Sequence, residues 1–125
     1  MPRGLGFVPV GIAILASNCL SSFAADSRLA GYLLDRSCAD NMKSQRMVPD
    51  DTHKKECALN QTCSRDGYAV YSKGQWYQLD KKGNELARHM LETTKTSEGH
   101  FVIVSGSLDK NEMKVSAIRE LPKQP

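Results

Sequence analysis

Only one stretch of this 125-residue chain has a clear helical period, and that scarcity limits its architecture more than any other feature. Leu86, Ala87, Met90 and Leu91 follow Gly83-Asn84 at spacings that place all four on one side of a helix. Asn84 is the expected N-cap, and the β-branched pair Thr93-Thr94 ends the segment. The stretches around it read as strands. Leu29 to Asp35 is a short apolar run, and Gly67 to Ser72 and Gln75 to Asp80 flank a Lys73-Gly74 turn. His100 to Ser105 is rich in β-branched and aromatic residues, and Met113 to Arg119 alternates Met113, Val115 and Ala117 with Lys114 and Ser116.

A single helix cannot cover a sheet of this size, so the strands must bury their apolar faces against one another. The order strand, long connection, strand, strand, helix, strand, strand is that of a five-stranded OB-like Greek-key barrel, a mainly β fold with one capping helix. Closure removes the open edges, and Leu86, Met90 and Leu91 plug the barrel end. Gly106 marks a bulge or a tight bend. The alternative is an open antiparallel sheet with the helix packed on it. Ser37 to Asp50 has neither period and is expected to be irregular, with Asp50 or Asp51 capping a short helix through about Cys57 or Leu59.

The N-terminus has a different character. Met1 to Gly6 carries one positive charge, Arg3, and Phe7 to Leu15 is apolar and uncharged, the pattern of a secretory signal peptide. The run is short of the about 20 apolar residues that span a bilayer, so no permanent transmembrane anchor is expected. Ser22 and Ala24 suit cleavage before Ala25, whereas Leu15 to Cys19 loosely resembles a lipobox that would make the chain a lipoprotein acylated at Cys19. The expected organisation is therefore a signal peptide at 1–24, a lead at 25–28, the barrel domain at 29–120 and a flexible tail at 121–125. Export to the periplasm or the medium follows. The formal net charge of +3 is spread without a basic block, which gives no sign of a polyanion partner such as nucleic acid.

Beyond the signal segment stand Cys38, Cys57 and Cys63, an odd number, so at most one internal disulfide can form. An oxidising compartment favours such a bond. Cys38 joined to Cys57 or Cys63 would tether the long connection to the first strand and stabilise the domain by about 2 to 4 kcal/mol. The same cysteines with His53 form the alternative metal set, Cys38, His53, Cys57 and Cys63, with Met42 and Met47 nearby in sequence. His53 and Cys57 stand four apart and would share a helix face, and thiolate, imidazole and thioether donors suit Cu(I), the first two also Zn(II).

Gly31-Tyr32-Leu33-Leu34-Asp35-Arg36-Ser37-Cys38, then His53-x3-Cys57-Ala58-Leu59-x3-Cys63 and Gly67-Tyr68, make a D-x-x-C, H-x3-C-A-L-x3-C-x3-G-Y pattern. It resembles an uncharacterised family of small secreted bacterial proteins with OB-like domains. That resemblance implies export and fold and carries no reaction. Members of the family place the second and third cysteines closer together than the five-residue gap here.

No catalytic signature is present: G-x-S-x-G, H-E-x-x-H, C-x-x-C and a glycine-rich phosphate loop are all absent, so no enzyme activity is expected. OB barrels bind ligands on the face of their second and third strands. Tyr68, Tyr71, Trp76 and Tyr77, with Lys73 at the margin, are the candidates there, unless alternate aromatics simply fill the core. The leading expectation is a non-enzymatic exported module, held by a disulfide and without a cofactor, that contacts an envelope protein or a glycan. A small Cu- or Zn-binding protein is the alternative.

Overall fold

The computed structural model describes residues 26–122, together with Gly4, Gly6 and Gly11. The expected signal peptide, the cleavage before Ala25, Cys19 and the end of the tail lie outside the described residues. The chain runs β1 (Ser27–Asp35), α1 (Arg36–Ser44), α2 (Lys55–Leu59), α3 (Gln61–Ser64), β2 (Tyr68–Ser72), β3 (Gln75–Leu79), α4 (Lys81–Thr93), β4 (Phe101–Asp109) and β5 (Glu112–Glu120). The strands close into a barrel in the order β1-β2-β3-β5-β4, with β1 returning to β4. All neighbours are antiparallel except β3 and β5, which meet in parallel. This is the expected mainly β, OB-like barrel, and the open-sheet alternative is excluded because each of the five strands pairs on both sides and none is left as an edge.

The barrel turns on two glycines. The first half of β1 pairs with β4 through Tyr32↔Phe101, and its second half pairs with β2 from Tyr32↔Tyr71 onward. At the changeover sits Gly31, where a Cβ would lie 1.8 Å from the Tyr71 carbonyl oxygen. In β4 the register shifts between Ser105 and Gly106, the bulge that Gly106 announces in the sequence.

Alternation sorts the side chains. Leu33, Val70, Leu91, Val102, Val104 and Met113 fill the barrel, and Ala87 and Leu91 of α4 close one end. A second, smaller cluster of Leu34, Ala39 and Ala69, with Met42, Cys38 and Trp76 against it, lies outside the barrel. It exists because α1 covers the outer face where β1 and β2 pair.

Three local expectations need correction. Ser37 to Asp50 is not irregular, because Asp35 ends β1 and caps α1 at once, its carboxylate accepting from the Cys38 amide at 2.9 Å. Asp50 caps no helix; it accepts from the Thr52 amide and hydroxyl in a local turn, and α2 begins after Lys54 with no side-chain cap. Helix α4 starts earlier than Asn84, at Lys81, because Asp80 accepts from the Gly83 amide. Asn84 instead accepts from the Tyr68 amide across the structure at 2.9 Å. At the other end, the Leu121 amide donates to the Phe101 carbonyl, which extends the β4–β5 pairing into the start of the tail. No helix among the described residues is long and apolar enough to cross a membrane.

Candidate metal centre

Four donors from two stretches of chain, residues 35–38 and residues 53–57, converge where β1 passes into the long β1–β2 connection. Asp35 ends β1, Cys38 lies in the first turn of α1, His53 is in the loop before α2, and Cys57 is in α2. One ligand atom of each lies within 4.8 Å of every other. The loop is held by backbone bonds to the segment after α4: the Lys55 amide donates to Ser97 and the Gly99 amide to the His53 carbonyl. The Tyr32 hydroxyl donates to Asp51 at 3.0 Å and pins the loop to β1.

The electrostatics follow from burial. Asp35 is 0% exposed, and one carboxylate oxygen lies 2.8 Å from His53 Nε2 while the other accepts from the Cys38 amide. Burial alone would raise this carboxyl, but the His53 bond and the Cys38 amide outweigh it and hold the group below the usual carboxylate range. Cys38 is pushed up to about 12, first by burial and then by the adjacent Asp35 carboxylate and Cys57 thiol. Burial, Asp35 and the neighbouring Cys57 thiol also raise Cys63. A cavity of about 280 Å³ opens over the cluster, lined by His53, Cys57, Met42 and Leu34 among others.

Of the metal set expected from sequence, three members fall in one tight group. Asp35, which the expected set did not include, joins Cys38, His53 and Cys57 there, and Cys63 lies outside that group. The chain breaks at Asn60, whose extended backbone separates α2 from α3, and Cys63 in α3 neighbours the Cys57 thiol without entering the tight group. His53 is not helical, so it meets Cys57 through the loop's turn and not along a helix face. Met42 lines the same cavity, but Met47 points away and is 50% exposed. The three cysteines are free thiols, so the expected disulfide is not formed in this structure. The one local signal at Asp35 is its place as an N-cap residue three before Cys38, which marks a helix start and not a metal ligand.

The expected ligand face divides. Tyr68 is buried in the barrel core, its hydroxyl donating to the Ala58 carbonyl at 2.9 Å, so it leaves the candidate face. Tyr77 packs against the same core. Tyr71 and Trp76 contact each other edge-on on the outer side, ring centroids 5.0 Å apart, and Lys73 is exposed in the hairpin turn.

Behind the cluster lies His100, 1% exposed, with neither ring nitrogen hydrogen-bonded and Nδ1 3.6 Å from Glu120 Oε2. Burial lowers its pKa, the Glu120 carboxylate pulls it back up, and His53 and Lys55 push it down further, for a net fall below 6.5. The unfolded chain therefore binds a proton near pH 6.5 that the folded protein refuses, and stability is lost as pH drops below that point. The expected slope is up to about 1.4 kcal/mol per pH unit. Urea denaturation at about pH 7.5 and about pH 5.5, in chelator, should show this loss in the wild type. In His100→Leu the loss should shrink by most of that amount, and an unchanged slope would assign the pH dependence to other groups.

Comparison with protein-family models, curated proteins and solved structures gives no match, so the family resemblance rests on the quoted cysteine and histidine pattern alone.

Proposed function

We propose that this chain is an exported protein that binds one thiophilic metal ion, Zn(II) or Cu(I), through Cys38, His53 and Cys57 with Asp35 as partner. The observation that carries the reading is the meeting of four metal-ligating side chains, two from residues 35–38 and two from residues 53–57, within 4.8 Å. Donors at 2.0 to 2.3 Å from a tetrahedral ion lie about 3.3 to 3.8 Å apart, so the widest pairs need to close by at most about 1 Å, within reach of cysteine rotamers. Two thiolates, an imidazole and a carboxylate suit Zn(II); Met42 at the cavity wall supplies a thioether suited to Cu(I). Asp35 has two ways to act. It can be the fourth donor, or, bonded to His53 Nε2, it can orient the ring and leave Nδ1 to the ion, as carboxylates behind metal-bound histidines do.

A catalytic reading has less support. A nucleophilic cysteine needs a lowered pKa, and Cys38 is driven the opposite way. Binding of a metal must displace the Cys38 proton, so the ion is held better as pH rises.

The same sulfurs support a second reading, the disulfide-held module, because the Cys57 thiol neighbours both Cys38 and Cys63. Native and denaturing mass spectrometry of the protein from an envelope fraction, with alkylation before and after chelation, separates the two. One zinc or copper per chain, no two-hydrogen deficit, and Cys38 and Cys57 protected until the chelator is added are expected. A two-hydrogen deficit with no bound metal, before and after incubation with either ion, would overturn the metal reading.

A further inference from the structure

A groove of about 360 Å³, sharing no lining residue with the cavity over the cysteine cluster, runs between the end of α1 and the β2–β3 hairpin. Its volume is in the range of small-ligand clefts, about 300 to 1,000 Å³. The geometry points to this groove as a binding site for an anionic oligosaccharide, one bearing carboxylate or sulfate groups, independent of the metal centre.

The floor is the Tyr71–Trp76 pair, whose ring planes are inclined at 60°. The two rings touch edge to face, so together they form one apolar surface on which the C–H face of a sugar ring can stack. The walls are cationic: Lys43 and Arg46 line the groove, and no carboxylate does. Among the described residues neither cation forms an ion pair, so their charge is unspent. The side-chain amides of Gln75 and Asn111, at the two hairpin ends, add neutral donors and acceptors suited to hydroxyl groups. Met47 and Val48, 50% and 64% exposed, leave an apolar rim uncovered beside them.

The backbone carries a second sign. Among the described residues, the non-glycine residues with positive φ are Arg46, Lys73 and Lys110, all basic. Each occupies a tight turn where glycine or asparagine would be the easier choice. All three turns border this groove, since Arg46 lines it and Gly74 and Asn111, the next residues after Lys73 and Lys110, line it as well. Arg46 stands where a helix usually ends in glycine: its amide bonds to Lys43 and the Met47 amide to Met42, a Schellman closure of α1. These cations are scattered in sequence, which is why the chain shows no basic block.

Trp76 is the sole tryptophan of the chain, so its fluorescence reports the groove directly. Titration with oligogalacturonate and with a heparin-derived hexasaccharide should give a saturable change that weakens with added salt, and neutral maltohexaose should give none. Arg46→Gly is the decisive variant, because it removes a cation and a strained backbone position together. Its binding is expected to be at least fivefold weaker with a melting temperature no lower than the wild type's. Lys43→Glu should weaken binding as well. No response to either anionic sugar by the folded wild type, or undiminished binding in Arg46→Gly, would overturn the proposal. Equal or tighter binding of oligo(dT) or of poly-glutamate would overturn it too, making the groove a site for nucleic acid or acidic peptide.

Discussion

Asp35→Ala is expected to lower the melting temperature by more than about 12 °C and to weaken zinc binding at least about tenfold in the same molecule. The carboxylate is buried, caps α1 through the Cys38 amide and holds His53 at 2.8 Å. Alanine removes the cap, strands a buried amide and leaves His53 facing an empty position. Breaking a buried pair in this way costs about 3 kcal/mol or more. For a domain of this size each kcal/mol moves the midpoint by about 4 to 8 °C. Asp35→Asn keeps an acceptor for the Cys38 amide and should recover part of the stability, yet it removes the negative charge that favours a cation. Thermal unfolding in chelator, beside competition with a chromophoric zinc indicator, measures the two effects separately. If Asp35→Ala lost stability but bound zinc as tightly as wild type, Asp35 would be purely structural, neither a ligand of the ion nor a partner of its ligands.

Gly31→Ala is expected to be more damaging to the fold than any change at the cluster. The added Cβ would sit 1.8 Å from the Tyr71 carbonyl oxygen and 2.6 Å from its carbon, both backbone atoms of the paired strand, so relief requires parting β1 from β2. A loss of about 4 kcal/mol or more is expected, against a total of roughly 5 to 15 for a small domain. Ala30→Ser, one residue earlier and exposed, should change stability by less than about 0.5 kcal/mol. Circular dichroism melts of the two variants check this, and a midpoint for Gly31→Ala within a few degrees of wild type would show that β1 can shift without opening the barrel.

The barrel was legible wherever the information was local. Alternation in β5, the Lys73-Gly74 turn, the Gly106 bulge and the apolar side of α4 all follow from neighbouring residues. What escaped depended on partners far along the chain. Gly31 is required because β1 changes neighbours at that point, a fact carried by Tyr71 and not by the sequence beside it. Helix α1 was hidden because Asp35 is both strand end and cap, and its short apolar stripe, Ala39 and Met42, gains meaning only against Leu34 and Trp76. In the cluster, Cys38, His53 and Cys57 stood out by type. Asp35 did not, because a carboxylate becomes a metal-site residue only when burial and a histidine 18 residues away hold it there. The cations of the groove are likewise separated in sequence and gathered by three turns.

The parallel meeting of β3 and β5 pairs only Gln78 with Glu112 and Leu79 with Met113, while β4 and β5 pair along most of their length. The cylinder thus has a seam, the line along which the fewest backbone bonds must break for it to breathe. Gln75 and Asn111 stand beside that line, one on β3 and the other at the turn into β5. A molecule that spanned them would act as a stitch across the seam, so occupancy on the outside of the barrel would be felt as slower opening of its interior.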